Sequence, residues 1–333
     1  MQHRHLGKNG PSVHPVGIGA MSFSNFYGPT NETESHAILQ AAMAAGVSHI
    51  DTANVYGMGT SETVIGSYFK AHPDAVEHFT IATKGGITRN PDGPGNIFVN
   101  TKEHLQSELE GSLKRLGVEA VDLYYVHRRD PALPIEEVTE TLAGLVKSGK
   151  TKAIGFSEIA PTSLRRAHAV HPVAAVQSEY SLSTRSPEMG LIQTCAELGV
   201  ALVAFSPVGR SLLTDTPLSY ETAQSLGFLA HNPRFMQPHY DANIAAVAPF
   251  QALAADLGLS TAGLAIAWTL AQGEHVIPIP GTRSIRHFAQ LLEAVQKPLD
   301  AAALAAIDAV LPIGWAHGDR YSAAQWGGPE RYC

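Results

Sequence analysis

Short apolar runs recur along the chain, each followed by a longer stretch whose apolar positions fall at helical spacing. GIGAM (17–21), VSHID (47–51), FTIATK (79–84), VDLYYVH (121–127), TKAIGFS (151–157), AAVQSEY (174–180), ALVAFS (201–206) and HVIPIP (275–280) read as buried strands. The intervening periodicity predicts helices over 33–45, 61–69, 101–116, 135–147, 161–169, 187–198, 243–257, 261–271, 284–294 and 301–310. Asn31 is placed to cap the first helix, and Gly46, Gly117, Ser148-Gly149 and Gly199 mark helix ends. Eight strands alternating with helices predict an α/β protein, a (β/α)8 TIM barrel with accessory helices, as one domain over 1–333. HRHL and SVHPV near the start predict an N-terminal hairpin across the barrel bottom. The stretch 207–241 carries four prolines and little periodicity, which predicts a long functional loop. A tail over 312–333 has no helical period, but Trp315, Tyr321 and Trp326 predict that it packs on the barrel near the mouth.

Polar residues at the ends of these strands converge on the C-terminal mouth of such a barrel. Asp51, Lys84 and His127 each close a run, and Tyr56 follows one closely. A tyrosine hydroxyl, with a reference pKa of about 10, is a weak acid unless a cation stabilises its phenolate. A lysine supplies that cation, a carboxylate holds the lysine, and a histidine positions a carbonyl oxygen. The set suits carbonyl reduction, with the hydride coming from elsewhere.

GIGAMSFSNFYGPT (17–30), DTANVYGMGTSE (51–62), ATKGG (82–86), SLKRLGVEAVDLYYVHRRDP (112–131), GFSE (155–158), QSEYSL (177–182), FSPVGR (205–210) and IPGTR (279–283) occur in this order. Together they resemble the aldo-keto reductase superfamily over nearly the whole chain. The spacing is similar to its bacterial and plant long-loop branch, near the reductase-like potassium-channel β subunits. The resemblance implies that Tyr56 is the general acid, that Lys84 lowers its pKa, that Asp51 fixes Lys84, and that His127 orients the carbonyl. It implies NADP(H) as cofactor and a small carbonyl compound as substrate. Ser157 and Gln177 match the positions that hold the nicotinamide carboxamide, and Phe205 stands where a ring stacks on it. Gly19, Met21 and Asp51 fall on the cofactor side of the mouth. Ser206, Pro207, Gly209 and Arg210 begin a loop that folds over the pyrophosphate in relatives. Gly281, Thr282 and Arg283 open a helix, where unpaired N–H groups and a guanidinium suit a 2′-phosphate. His287 and Gln290 face the adenine end. Departures from the family pattern are Glu158 in place of Asn, Gln290-Leu291 in place of Glu-Asn, and His287 where some relatives carry Arg.

Charge and composition narrow the remaining classes. The formal net charge of −7, without a basic stripe, argues against a nucleic-acid partner. No apolar run reaches the length of a membrane span, and the first residues lack the apolar core of a secretory signal. Two cysteines, Cys195 and Cys333, make no disulfide framework, which fits a cytoplasmic protein. The pair His3 and His5 precedes the first barrel strand and lacks a carboxylate ligand set, so no metal is expected. A Gly fingerprint for a dinucleotide-binding βαβ unit is absent. A cofactor-sensing regulatory subunit with little turnover is the alternative, and His127 favours the enzyme over it. Oligomeric state is left open.

Overall fold

Alternation within each strand sorts side chains between two apolar layers. The computed structural model describes residues 3–93 and 95–332, so Cys333 lies outside the described residues. A hairpin, β1 (Arg4–His5) with β2 (Ser12–Val13), precedes the barrel. Among the described residues the barrel strands are β3 (Ile18–Gly19), β4 (His49–Asp51), β5 (Thr80–Gly85), then β8 (Val121–Val126) to β12. Between β5 and β8 comes a second hairpin, β6 (Ile87–Arg89) with β7 (Asn96–Phe98). The later strands are β9 (Thr151–Ser157), β10 (Ala175–Glu179), β11 (Ala201–Phe205) and β12 (Val276–Pro278). They pair in parallel in chain order. Gly17 N donates to Pro278 O at 2.9 Å and Gly19 N to Pro280 O at 3.0 Å, so the first and last strands meet and close the (β/α)8 barrel.

In β8, Leu123 and Tyr125 point inward and pack with Ala82, Val203 and Ile277, while Tyr124 and Val126 point outward beneath the helices. Leu6 and Val13 of the first hairpin join the inner cluster, and Lys8 N donates to Gly199 O just before β11. The hairpin therefore seals the bottom, as its position in the sequence predicts.

The barrel helices are α1 (Glu32–Ala44), α2 (Thr60–Ala71), α4 (Lys102–Leu116), α5 (Ile135–Lys147), α6 (Pro161–Val170), α7 (Leu191–Leu198), α10 (Thr261–Ala271) and α11 (Ile285–Gln296). Short α3 (Asp74–His78) and α8 (Tyr220–Ser225), with α9 (His239–Asp256) and α12 (Ala301–Val310), complete the set. Asn31 caps α1 by accepting from Glu34 N at 2.9 Å. α4 stops at Gly117, whose φ of 71° is costly for other residues.

Three expectations are corrected. The first strand is two residues long, because the chain turns into a 3-10 turn at Ala20–Ser24 that carries Met21. Between the third and fourth barrel strands, where the helix over 101–116 is the only element the sequence predicts, the chain also forms β6 and β7. The long loop is interrupted by α8 and short 3-10 turns, and α9 begins at His239, four residues before the predicted start. No single helix among the described residues is long and apolar enough to cross a membrane.

Candidate active site

Strand register builds the centre of the site. Asp51 lies opposite Ala82, so Lys84, two residues on, points the same way one pleat nearer the mouth. Lys84 is fully buried, and its ammonium bonds to Asp51 Oδ1, Thr52 O at 2.8 Å and the Tyr56 hydroxyl at 3.3 Å. An ammonium has three N–H groups, and all three are used. The Tyr56 oxygen accepts from Lys84, which leaves its own proton to be donated elsewhere. Tyr56 reaches this position from the turn between β4 and α2. His127 follows β8, where its N–H donates to Gly85 O at 2.8 Å, and its ring meets that of Tyr56 edge-on with centroids 5.7 Å apart. All four sequence-predicted residues therefore meet in one place.

Burial is the largest single influence on the titration of Tyr56, Lys84 and His127. It pushes the Tyr56 hydroxyl above its ordinary value, against the opposing pull of Lys84. Lys84 thus lowers the hydroxyl's pKa, as expected, but in the free protein burial outweighs that pull and the net shift is upward. Burial also works against the Lys84 ammonium, but Asp51 and Tyr56 outweigh it and the net shift is upward. His127 is held well below the usual histidine range, by burial first and then by Arg128 and Lys84. At neutral pH it is a neutral imidazole, suited to hydrogen-bonding a carbonyl rather than to carrying a charge. Its Nδ1 is buried without a protein partner among the described residues.

A cavity of about 590 Å³ runs from Tyr56 and His127 past Gly19, Met21 and Phe205 to Arg283, Arg286 and His287. Ser157 ends β9 and lies in register with Gln177 of β10, so both face the interior side by side. Gln177 is not terminal, as the strand continues through Ser178 and Glu179. Its Nε2 donates to Asp51 Oδ2 at 2.7 Å, which ties the putting-together of the two halves of the site to one carboxylate. Ser157 Oγ accepts from Arg128 Nη1 at 2.9 Å, so its own proton is available to an acceptor in the cavity. Phe205 lines the cavity and also packs against the inner core cluster. Ser206, Gly209 and Arg210 all have positive φ, giving a tight turn, and Pro207 lines the cavity between them.

At the far end, Gly281 and Thr282 lead into α11. A Cβ on Gly281 would come within 2.7 Å of Gly19 O, so only glycine lets the two strand ends approach. Arg283 Nη1 donates to Pro29 O at 2.5 Å across the rim, and Gln290 Nε2 donates to Asp215 Oδ2 at 2.8 Å. Leu291 is buried, as its apolar character requires. The donor set fits a phosphorylated dinucleotide: cations at a helix start, an amide and a hydroxyl at the deep end, and an aromatic ring beside them.

The mouth holds ion pairs that sequence reasoning missed. Glu158, with φ of 58°, is buried and accepts two bonds from Arg320 of the tail. Glu179 accepts from Arg210 at 2.9 Å, with Arg320 at 3.7 Å and Arg234 at 3.9 Å. Both carboxyls sit below their ordinary range: burial opposes this, but the arginines prevail. Two carboxylates and three arginines thus gather at the mouth. Arg210 spends its charge on Glu179 and bonds the Tyr27 hydroxyl at 3.0 Å. The tail packs as predicted, with Trp315 and Tyr321 buried and Glu330 N donating to Glu158 O at 2.9 Å. Arg286, three residues after Arg283, was findable from spacing alone; Arg320 was not, since its partner is 162 residues away.

A closed barrel with Asp, Tyr, Lys and His gathered at its mouth defines a class of barrel oxidoreductases. The chain belongs to the aldo/keto reductase family, whose sequence profile matches residues 15–312. It is 38% identical over 317 residues, 95% of this chain and 90% of the relative, to a probable aldo-keto reductase of Glycine max. It is 34% identical over 313 residues, 93% of this chain and 92% of the relative, to an aldo-keto reductase of Schizosaccharomyces pombe whose name specifies NADP(+). Among solved structures, a glycerol dehydrogenase from Gluconobacter oxydans superposes with a TM-score of 0.80 at 26% identity, covering 93% of this chain and 94% of that one. Carbonyl reduction on small molecules is the chemistry of this family, and the chain is an oxidoreductase of that kind.

Proposed function

We propose that this protein reduces aldehydes and ketones to alcohols with NADPH, using Tyr56 as proton donor. One observation carries the reading: the buried Lys84 spends its third N–H on the Tyr56 hydroxyl, so the tyrosine proton is left for a substrate. NADPH, when bound, supplies the hydride that the carbonyl carbon accepts. Tyr56 gives its proton to the carbonyl oxygen, Lys84 holds the phenolate that results, and solvent returns the proton afterwards. Asp51 keeps Lys84 charged and in place. His127, neutral, hydrogen-bonds the carbonyl oxygen next to Tyr56. Ser157 and Gln177 would hold the carboxamide, Phe205 would stack on the nicotinamide, and Arg283 with Arg286 and the start of α11 would bind the 2′-phosphate. The preference for NADP is supported by those two arginines and by the named cofactor of the yeast relative.

The test is NADPH consumption by the purified protein over a panel of neutral and aromatic aldehydes. The reading expects aldehyde-dependent turnover with one alcohol formed per NADPH. Tight NADPH binding without turnover on any aldehyde or ketone would favour a cofactor sensor instead.

A further inference from the structure

The arginines around the mouth are unequally partnered. Arg320 is bound to Glu158, and Arg210 to Glu179. Arg234 lies 3.9 Å from Glu179 and bonds Thr184 Oγ1 at 2.7 Å. Arg128 has no carboxylate within ion-pair distance among the described residues. It directly follows His127 and lines the cavity with Tyr56. Only its Nη1 is engaged, by His127 O at 2.6 Å and Ser157 Oγ at 2.9 Å. Its Nε and Nη2 have no protein hydrogen-bond partner among the described residues, and the side chain is only half-buried.

Arg128 is also held in place. A Cβ on Gly328 of the tail would come within 2.9 Å of Arg128 Cδ and 2.8 Å of Phe98 Cζ, so the stem of Arg128 lies against the tail backbone, which also abuts Phe98 of β7. A fixed guanidinium with one open edge is arranged to receive a planar anion, because two parallel N–H groups match two carboxylate oxygens. Phe26, Phe228 and Tyr321 face the same space and favour an aromatic or apolar frame between the charge and the carbonyl.

We infer that Arg128 is a specificity residue that selects carbonyl substrates bearing a carboxylate. The inference deepens the proposed reductase and rests on it for turnover, but carboxylate binding tests it separately. An ionic contact to a preorganised guanidinium is worth about 1.5–3 kcal/mol, or roughly 10- to 150-fold in affinity. Because the arginine is fixed before the substrate arrives, little ordering cost offsets that gain.

The experiment compares 4-carboxybenzaldehyde with its neutral analogue methyl 4-formylbenzoate, in wild type and in Arg128→Met. Wild type is expected to favour the acid by about tenfold or more in kcat/KM, and Arg128→Met to erase most of that ratio. Arg128→Lys should recover only part of it, since the charge returns without the fork. In parallel, calorimetry of terephthalate with the NADP(+)-bound protein reads carboxylate binding without turnover, and should weaken about tenfold or more in Arg128→Met. If neither aldehyde is reduced but terephthalate binding depends on Arg128, the reductase reading fails and the anion site stands. Equal losses for acid and ester, with terephthalate unaffected, would overturn the inference and leave Arg128 a support for Ser157 and His127. A loss confined to NADPH affinity would overturn it too, by assigning Arg128 to the cofactor.

Discussion

At the level of single residues, Lys84 ties the chemistry together, since its three bonds join Asp51, the backbone at Thr52 and Tyr56. In Lys84→Met, Tyr56 loses the one nearby ammonium that opposes its burial, so its pKa rises further. A tyrosine acting as acid must be protonated, so activity is lost as pH climbs through its pKa. The variant should therefore be slower at neutral pH, and its alkaline limb should lie at higher pH than the wild type's. It should also be less stable, because Asp51 becomes a buried charge without its cation. A pH–rate profile that overlays the wild type's would show that Lys84 does not tune the acid. All four residues were legible in the sequence, because each sits in or beside a strand whose direction a barrel dictates. What was not legible was the sign of the net shift on Tyr56, which depends on how completely the fold buries it.

Elements divide the same way. Helices with a cap and a stop signal, such as α1 and α4, fall within a residue or so of their predicted bounds. The hairpin of β6 and β7 escaped notice because its residues, ITR and NIF within a polar Gly/Pro/Asn stretch, form no apolar run like those that marked the equally short β4 and β12. The start of α11 gathers two cations, Arg283 and Arg286, where a phosphate gains from free helix N–H groups. Arg283→Ala should weaken NADPH by roughly 10- to 150-fold with little effect on NADH, which lacks the 2′-phosphate. Arg283 leaves Pro29 O to reach a phosphate, so the observed loss belongs at the lower end of that range. Dissociation constants for both cofactors at one ionic strength decide it. An equal loss for the two would mean that Arg283 supports the rim rather than the phosphate.

Over the whole molecule, the tail from Trp315 to Tyr332 packs at the mouth through contacts that no local pattern announces. Glu158 looked like a lost contact in the sequence, a carboxylate where relatives carry an amide. In the fold it is the anchor of the tail, bound by Arg320 and covered by the backbone of Glu330. Removing one partner of a buried pair leaves an uncompensated charge, which costs about 3–5 kcal/mol. Arg320→Leu should lower stability by about that amount in denaturant unfolding. The double variant Arg320→Leu with Glu158→Gln should recover much of it, because no bare carboxylate remains. If the single variant matches wild type, the tail rests on the barrel without holding it. Barrel, hairpin plug and packed tail were all readable from strand count and aromatic content. The pairing across 162 residues was not, since charge pairing leaves no periodic trace.

The central claim is that the proton for carbonyl reduction comes from Tyr56. Single-turnover reduction of an aromatic aldehyde by Tyr56→Phe, alongside a fluorescence titration of NADPH, addresses it most directly. The account predicts a loss of roughly 10²- to 10⁴-fold in the chemical step, with the NADPH dissociation constant nearly unchanged. A variant that keeps more than about half of the wild-type single-turnover rate would contradict it, since general-acid catalysis is worth at least a hundredfold.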